Sequence, residues 1–379
     1  MLPDASKTMK INVTRTSLPP FEDYCREIRK IWDNHILTNM GEEHDALRDA
    51  LQDYLGAAHI VLFTNGHLAL EAALRSLGLP EGGQVITTPL TFASTTHAIV
   101  RCGFTPVMCD VRSDDGTLDA SKLEALVTER TVAILPVHVY GHVCDVEAID
   151  AVAHRHGLKV LYDAAHAFGV RYRGVSLARF GDASMLSFHA TKVFSTIEGG
   201  AVCCSDAALA RRLADERNYG IRDEETCVVP GGNAKMSEFQ AAMGLCNLRL
   251  LSGELARRKA LSEQYAARLS GVPGLRLPAV REDVEPNYAY MPVYFEAAGM
   301  RDRVKAVLAE EGIGSRRYFW PLTSALAAYR GKAWADPAAT PVAARLASGV
   351  LTLPLSASLQ REDVERICAL VLRTLTTSA

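Results

Sequence analysis

Short apolar runs alternate with amphipathic segments across residues 59–205. Runs of four to eight residues, rich in β-branched side chains, are typical of buried strands, and seven are predicted at 60–63, 84–87, 106–111, 132–139, 159–162, 183–188 and 200–204. Between them, apolar residues recur at helical spacing and predict helices at 67–77, 92–101, 120–129 and 146–156. Because parallel strands need crossover connections, the alternation predicts an α/β fold with a mostly parallel sheet between layers of helices.

The pattern differs on either side of this region. Residues 20–56 are helical in pattern, and further helices are predicted at 207–217 and from Ser237 through 255–269. Beyond residue 273, strands at 289–295 and 316–319, helices at 301–310 and 362–375, and an alanine-rich helical stretch at 324–347 indicate a smaller α+β unit. We therefore expect an N-terminal arm and helix (1–45), a large α/β domain (46–255) and a small α+β domain (256–379).

Composition and charge narrow the class of protein. The 379 residues are 48% hydrophobic with a formal net charge of −3, which excludes nucleic-acid or membrane-surface binding as the main function. The first twelve residues lack the apolar core of a signal peptide, so a cytoplasmic location is expected. The nine cysteines never form C-x-x-C and are expected to be free thiols. His138 and His142 are spaced like metal ligands, but Pro136 and Gly141 disfavour a helix there, and no metal site is predicted.

The stretch 182–200 carries the first sign of chemistry. Lys192 is the only Lys, Arg, Asp or Glu between residues 183 and 197, and apolar runs lie on both sides of it. Burial disfavours the ammonium form of such a lysine and frees its amine to attack carbonyls. The alternative is a lysine that extends from a strand end to solvent.

Residues just after other strands support the first interpretation, because ligands of parallel sheets bind at the carboxyl ends of strands. Residues 64–67 could form a phosphate cradle at a helix start, and Phe92 could stack on a flat ring. Asp163 could pair with a protonated ring nitrogen, His166 could bond a phenolic oxygen, and Ser187 could bind phosphate. Each residue also has a structural alternative: a turn, a core aromatic or a helix cap. Together with Lys192 they match the requirements of pyridoxal phosphate.

The motifs that contain these residues resemble those of the DegT/DnrJ-type nucleotide-sugar aminotransferases, which have the fold type I architecture. The resemblance covers nearly the whole chain and rests on T-N-G-H-L-A-L (64–70), T-P-L-T-F-A-S-T (88–95), P-V-H-V-Y-G-H (136–142), D-A-A-H-A-F-G (163–169), S-F-H-A-T-K (187–192), E-G-G (198–200), G-G-N-A-K-M-S-E (231–238), R-R-Y-F-W-P-L (316–322) and L-T-L-P-L (351–355).

The resemblance implies a role for each matching position. Lys192 would hold the cofactor covalently and move a proton during catalysis, and Asn233 would reach the phosphate of a second subunit, so that a homodimer shares its active sites. His67 stands where many members have threonine or serine, which leaves only its amide contact expected. The implied cofactor-binding residues are Asn65, Gly66, His67, Phe92, Asp163, His166, Ser187, Lys192 and Asn233.

The same resemblance implies the reaction. An amino acid, expected to be L-glutamate, would donate its amine to a nucleotide-linked keto-sugar, with dTDP-4-keto-6-deoxy-D-glucose as the expected acceptor and dTDP-4-amino-4,6-dideoxy-D-glucose as the product. Open alternatives are C3 amination, a GDP- or UDP-linked acceptor, and a non-catalytic regulatory protein that binds pyridoxal phosphate. Dehydratase relatives carry histidine in place of the lysine, which argues against that branch. The candidate substrate-binding residues are Lys235, Arg222, Arg316, Arg317 and Tyr318.

Overall fold

Thirteen strands occur in the structure, a computed structural model that describes residues 11–279 and 281–377. The first ten residues of the predicted N-terminal arm lie outside this part of the chain. The strands are β1 (His59–Phe63), β2 (Gln84–Thr87), β3 (Thr105–Met108), β4 (Thr131–Ile134), β5 (Lys159–Asp163), β6 (Arg171–Tyr172), β7 (Val175–Ser176), β8 (Ala183–Ser187), β9 (Gly200–Cys204), β10 (Leu275–Arg276), β11 (Val284–Glu285), β12 (Met291–Phe295) and β13 (Val350–Leu353).

Ten α-helices accompany these strands in the described residues. They are α1 (Phe21–Asn34), α2 (Glu42–Leu55), α3 (Gly66–Ser76), α4 (Ala93–Arg101), α5 (Val146–His156), α6 (Ala207–Arg217), α7 (Glu238–Leu269), α8 (Met300–Glu310), α9 (Pro341–Gly349) and α10 (Arg361–Thr376). None of them is both long enough and apolar enough to cross a membrane.

The central sheet contains all seven strands predicted for it, in the order β1-β9-β8-β5-β4-β2-β3. Only β9 runs antiparallel to its neighbours. Alternate residues of each strand face opposite layers: Ile60 and Leu62 of β1 belong to the apolar core on the α2 side, whereas Val61 and Phe63 belong to the core on the side of α3 and α6. The predicted α/β class with a mostly parallel sheet is confirmed, and the carboxyl ends of β1, β2, β5 and β8 lie along one edge.

Helix α7 leads from the central sheet to a second, three-stranded sheet of order β10-β12-β13. It packs against α1 and α2 along one part and against α10 along another. Ser237 begins it with a capping box, in which its side chain and that of Gln240 bond each other's backbone amides. The predicted boundary between residues 255 and 256 falls inside this helix, and the division into domains stays a prediction.

Three sequence-based assignments are wrong. Residues 120–129 form two short 3₁₀ turns, because Val127 is extended and Thr131 Oγ1 accepts the Thr128 N–H, a side-chain bond that competes with a helix. Residues 316–319 form no continuous strand: Arg316 makes a single antiparallel bridge to Thr352 of β13, and the chain then turns where the Trp320 N–H bonds the Arg317 carbonyl. Of the stretch 324–347, only the part within α9 is α-helical.

Candidate active site

A cavity of about 820 Å³ opens at the carboxyl edge of the central sheet. The segment 316–319 and Tyr290 close it from the side of the smaller sheet. Ten of the fourteen predicted site residues line it: Asn65, Gly66, His67, Phe92, Asp163, His166, Ser187, Lys192, Arg316 and Tyr318. The fold thus brings together residues from four strand ends that are far apart in sequence.

Lys192 lies in the wall of this cavity, five residues beyond the end of β8. Burial lowers the pKa of its amine to about 8, while the Asp163 carboxylate and Tyr318 act in the opposite direction. Its Nζ donates a hydrogen bond to Tyr290 Oη at 3.4 Å. A larger fraction of this amine than of an ordinary lysine is therefore unprotonated near neutral pH, as a nucleophile requires.

Asp163 ends β5 and is buried without a cationic partner. Thr95 Oγ1 donates to its Oδ2 at 2.7 Å, and the Ala165 N–H donates to its Oδ1 at 3.1 Å. Burial raises the pKa of Asp163, and these two donors partly offset the effect. No ion pair with Asp163 exists within residues 11–279 and 281–377. A buried acid that faces a cavity in this way is suited to a cationic ligand.

The start of α3 lies unusually close to the end of β8. A Cβ atom on Gly66 would lie 2.9 Å from Ser187 Cβ, and one on Gly200 would lie 2.6 Å from Gly66 N. Asn65 caps the helix by accepting the Leu68 N–H at 2.9 Å. The remaining first-turn amides and Ser187 could together form a cradle that binds an anion. The space for that anion stays open because residue 66 has no side chain.

The His67 side chain is engaged away from this cradle. Its Nδ1 lies 2.8 Å from Ser94 Oγ, and its Nε2 lies 3.0 Å from Oε1 of the buried Glu71. Both ring nitrogens therefore have protein partners. The amide of His67 remains at the helix start, as the sequence led us to expect.

His166 presents a defined hydrogen-bond donor. Its Nδ1 accepts the Tyr140 N–H at 3.0 Å, which places the proton of the neutral ring on Nε2. Burial, followed by the nearby Lys192 charge, lowers the pKa of His166 well below its usual value. The ring stacks on Phe319 with centroids 5.6 Å apart. His166 is thus a neutral, fixed N–H donor in the cavity wall.

Sequence reasoning missed Thr95, Tyr290 and Phe319. Thr95 lies inside the same motif as Phe92, where a threonine in a helix gives no signal of its own, and Tyr290 lies in an apolar segment whose pattern predicts a strand. Phe319 stacks with His166 and lies 6.4 Å from Phe92, whose side chain is 57% exposed. In the structure, an exposed phenylalanine beside Phe319 at the end of a buried sheet offers a surface for a flat ring.

The structure separates the candidate substrate-binding cations. Arg222 pairs with Asp215 at 2.7 Å and Arg317 with Asp302 at 2.8 Å, and neither lines the cavity. Arg316 lines it and bonds Tyr318 Oη, with no carboxylate partner in the part of the chain described. Asn233 and Lys235 lie outside the cavity of their own chain, where Lys235 Nζ donates to Asn233 Oδ1 at 3.0 Å.

Comparison with known proteins identifies the architecture. The sequence profile of the DegT/DnrJ/EryC1/StrS aminotransferase family matches residues 21–372. The chain belongs to this family. A curated member, dTDP-4-amino-4,6-dideoxy-D-glucose transaminase of Escherichia coli, is 40% identical over 366 residues, which are 96% of this chain and 98% of the relative.

Two solved structures superpose on nearly the whole chain. DesI, crystallised in the presence of its TDP-sugar product, gives a TM-score of 0.91 at 33% identity and covers 98% of this chain and 95% of its own. The PLP form of a putative sugar aminotransferase from Streptococcus pneumoniae gives 0.90 at 25% identity, covering 97% and 100%. The predicted family, fold class, aminotransferase activity and pyridoxal phosphate cofactor are confirmed.

The cavity residues fit that cofactor. The cradle at Gly66 suits a phosphate, the unpaired carboxylate of Asp163 suits a protonated ring nitrogen, and the His166 Nε2–H suits a phenolic oxygen. Lys192 would hold the aldehyde carbon. No member of this set conflicts with the group.

Proposed function

We propose that this enzyme transfers the amine of L-glutamate to dTDP-4-keto-6-deoxy-D-glucose and forms dTDP-4-amino-4,6-dideoxy-D-glucose. The observation that carries the reaction class is one cavity that holds a buried amine, Lys192, and a buried acid without a cation, Asp163. The choice of sugar is supported by the curated relative at 40% identity, which is named for that amino sugar.

Lys192 is the proposed catalytic residue. When bound, pyridoxal phosphate supplies an aldehyde that carries the amino group and a ring that withdraws electrons from the reacting carbon. The lowered pKa of about 8 lets the Lys192 amine serve as nucleophile and then as the base that moves a proton between donor and carrier. One water molecule would be taken up when the donor leaves as a 2-oxo acid, and one would be lost when the keto-sugar accepts the amine, so the overall transfer neither consumes nor releases water.

The surrounding residues hold the cofactor in the orientation this chemistry needs. Asp163 keeps the ring nitrogen protonated, the His166 N–H binds the phenolic oxygen, and Phe92 covers one ring face. Gly66, the His67 amide and Ser187 bind the phosphate. Arg316, the cavity cation without a carboxylate, binds the donor carboxylate or the sugar diphosphate.

The proposal includes a cytoplasmic homodimer with shared active sites. Asn233 is exposed and outside its own cavity, as a residue that serves a second subunit would be. All nine cysteines are free, and six of them are buried, which suits a reducing compartment.

Spectroscopy and product analysis test the function. The purified enzyme should show an absorbance band of lysine-bound cofactor that converts to the amine form when glutamate is added. A panel of dTDP-, UDP- and GDP-linked keto-sugars should then restore the first band, and NMR of the product gives the position and configuration of the amine.

The control is Lys192→Ala, which should bind the cofactor and lose turnover, because no amine remains to move the proton. Conversion by no amino donor would overturn the activity in favour of a binding protein. Restoration by a 3-keto-sugar or by a GDP- or UDP-linked sugar alone would overturn the acceptor while keeping the reaction class. Turnover by Lys192→Ala would overturn the assigned role of the lysine.

A further inference from the structure

Tyr290 lies at the reacting amine but belongs to neither the predicted site nor the central sheet. Its Oη is 3.4 Å from Lys192 Nζ, and that bond is the only side-chain hydrogen bond of the Lys192 amine in residues 11–279 and 281–377. The residue lies in the segment 287–290, which runs across the large sheet's carboxyl edge into β12.

The segment 287–290 is fixed to the wall of the active site by a buried side chain. Asn287 Nδ2 donates to the backbone carbonyls of His166 and Phe168 at 2.8 and 2.9 Å, and Asn287 Oδ1 accepts the Ala289 N–H at 3.1 Å. These bonds join the smaller sheet to the strand end that carries His166. The position of Tyr290 relative to Lys192 is therefore set by the fold.

The ring of Tyr290 is held as firmly as its backbone. It packs edge-on against His166, with ring centroids 4.8 Å apart, and against Tyr140 at 6.2 Å. Burial raises the pKa of its phenol, so the hydroxyl stays protonated. A protonated hydroxyl can accept a hydrogen bond from an ammonium group and donate one to a free amine.

We propose that Tyr290 is a further catalytic residue, which binds the Lys192 amine whenever the cofactor does not hold it and orients that amine for proton transfer. The inference rests on the proposed function for its place in the reaction. Other groups that face Lys192 are Asp163 from β5, His166 after β5, and Arg316 and Tyr318 from the segment 316–319.

Removing the Tyr290 hydroxyl should change the pKa of Lys192 in one direction. Tyr290 can bind both forms of the Lys192 amine, but the bond from the ammonium form is charge-assisted and is the stronger of the two. The loss of the hydroxyl in Tyr290→Phe therefore destabilises the charged form more than the neutral form. The pKa of Lys192 should then fall below its value of about 8. A hydrogen bond to a charged group of ordinary strength corresponds to a shift of about one pH unit.

The test uses the cofactor-free full-length protein, treated with trace acetic anhydride at a series of pH values. Mass spectrometry gives the acetylation of Lys192 at each pH, and the exposed Lys259 in the same digest corrects for reagent loss. The matched control is Tyr288→Phe, which removes a hydroxyl two residues away on the same segment. In the loaded enzyme, Tyr290→Phe should lower kcat about tenfold and leave KM for the donor within about twofold.

The expected result is a midpoint for Lys192 that moves about one pH unit down in Tyr290→Phe and stays at the wild-type value in Tyr288→Phe. An unchanged midpoint in Tyr290→Phe, or an equal shift in both variants, would overturn the inference. The labelling needs neither cofactor nor sugar, so its outcome is independent of whether the proposed reaction is correct.

Discussion

Asp163 depends on a small set of buried neighbours for the stability of its charge. Its carboxylate is disfavoured by burial, and Thr95, the Ala165 amide and the charge of Lys192 stabilise its ionised form. Thr95 is itself held by Thr91, whose Oγ1 lies 2.8 Å away. The two threonines form a buried chain of hydroxyl groups that helps to keep Asp163 ionised, the form that binds a cation.

Replacing Thr95 by valine should weaken cofactor binding with little change in shape. The hydroxyl that is lost donates to the charged Asp163 carboxylate, and a hydrogen bond of this kind stabilises the charge by about 1.5–3 kcal/mol. The Kd for pyridoxal phosphate should therefore rise about tenfold or more. Acidification protonates Asp163 and removes its attraction for the ring nitrogen. Since the variant raises the pKa of Asp163 further, its affinity should begin to fall at a higher pH than that of the wild type.

Fluorescence titration of the cofactor-free protein between pH 5 and pH 8 measures this difference, and Thr95→Ser serves as the control because it keeps the hydroxyl. Parallel pH curves for the valine variant and the wild type would show that Thr95 does not act through Asp163.

Among single residues, those that could be predicted from the sequence are the ones whose chemistry is unusual for their sequence surroundings. Lys192, Asp163 and Gly66 stood out because a charge or a glycine at a strand end needs a reason. Thr95 and Tyr290 did not, since a threonine in a helix and a tyrosine beside a strand are ordinary. Their importance comes from distances of 2.7 Å and 3.4 Å to residues 68 and 98 positions away in sequence.

Helix α3 and strand β8 form the element pair on which the phosphate cradle depends. The first turn of α3 reaches Ser187 so closely that residue 66 has no room for a side chain. The backbone at Gly66 is not in the left-handed region, so the requirement for glycine here is steric.

Gly66→Ala should therefore separate the two elements. Its methyl group would meet Ser187 Cβ at 2.9 Å, and overpacking of this kind costs about 1–3 kcal/mol. We expect a lower Tm and a Kd for pyridoxal phosphate at least about tenfold higher, measured by thermal unfolding and by titration. Gly253→Ala is the matched control, because that helical glycine in α7 has open space around it and alanine favours a helix. If the Gly66→Ala variant bound the cofactor as tightly as the wild type, the steric explanation of the phosphate cradle would be wrong.

The elements that sequence predicted well have a clear periodic signal. All seven strands of the central sheet were found because they are buried on both faces, whereas β6, β7, β10 and β11 have two residues each and leave no pattern. The segment 316–319 looked like a strand because it is aromatic. Tyr318 and Phe319 instead line the cavity, and Phe319 stacks on Tyr140 and His166.

At the scale of the whole molecule, several large apolar side chains are exposed to solvent in the single chain. Large apolar side chains are exposed on α1 and just after it, on the segment 219–228, and on α7, namely Phe21, Trp32, Leu37, Tyr219, Ile221, Val228 and Leu250. Exposed groups of this size are typical of protein interfaces. The same segment, 219–228, is adjacent to Asn233, which its bridge to Asn218 holds in place.

If the subunits share their active sites, two inactive variants should complement each other. Lys192→Ala keeps an intact Asn233, and Asn233→Asp keeps an intact lysine while placing a negative charge where the partner's phosphate would bind. In a mixed dimer, the cavity that contains Lys192 receives Asn233 from the other chain, so one of its two sites is complete. We expect about half of the wild-type kcat per dimer from co-expressed chains purified through two different tags.

Each parent dimer provides the control and should be at least about tenfold less active than the mixture, since both of its sites carry the same defect. Wild-type activity in Asn233→Asp alone would show that this position does not contact the phosphate. A mixed dimer no more active than its parents would show that each active site takes Asn233 and Lys192 from the same chain. That result would require the segment that carries Asn233 to fold back over its own cavity. In the structure, the Lys235 ammonium and Asn218 hold Asn233 outside this cavity.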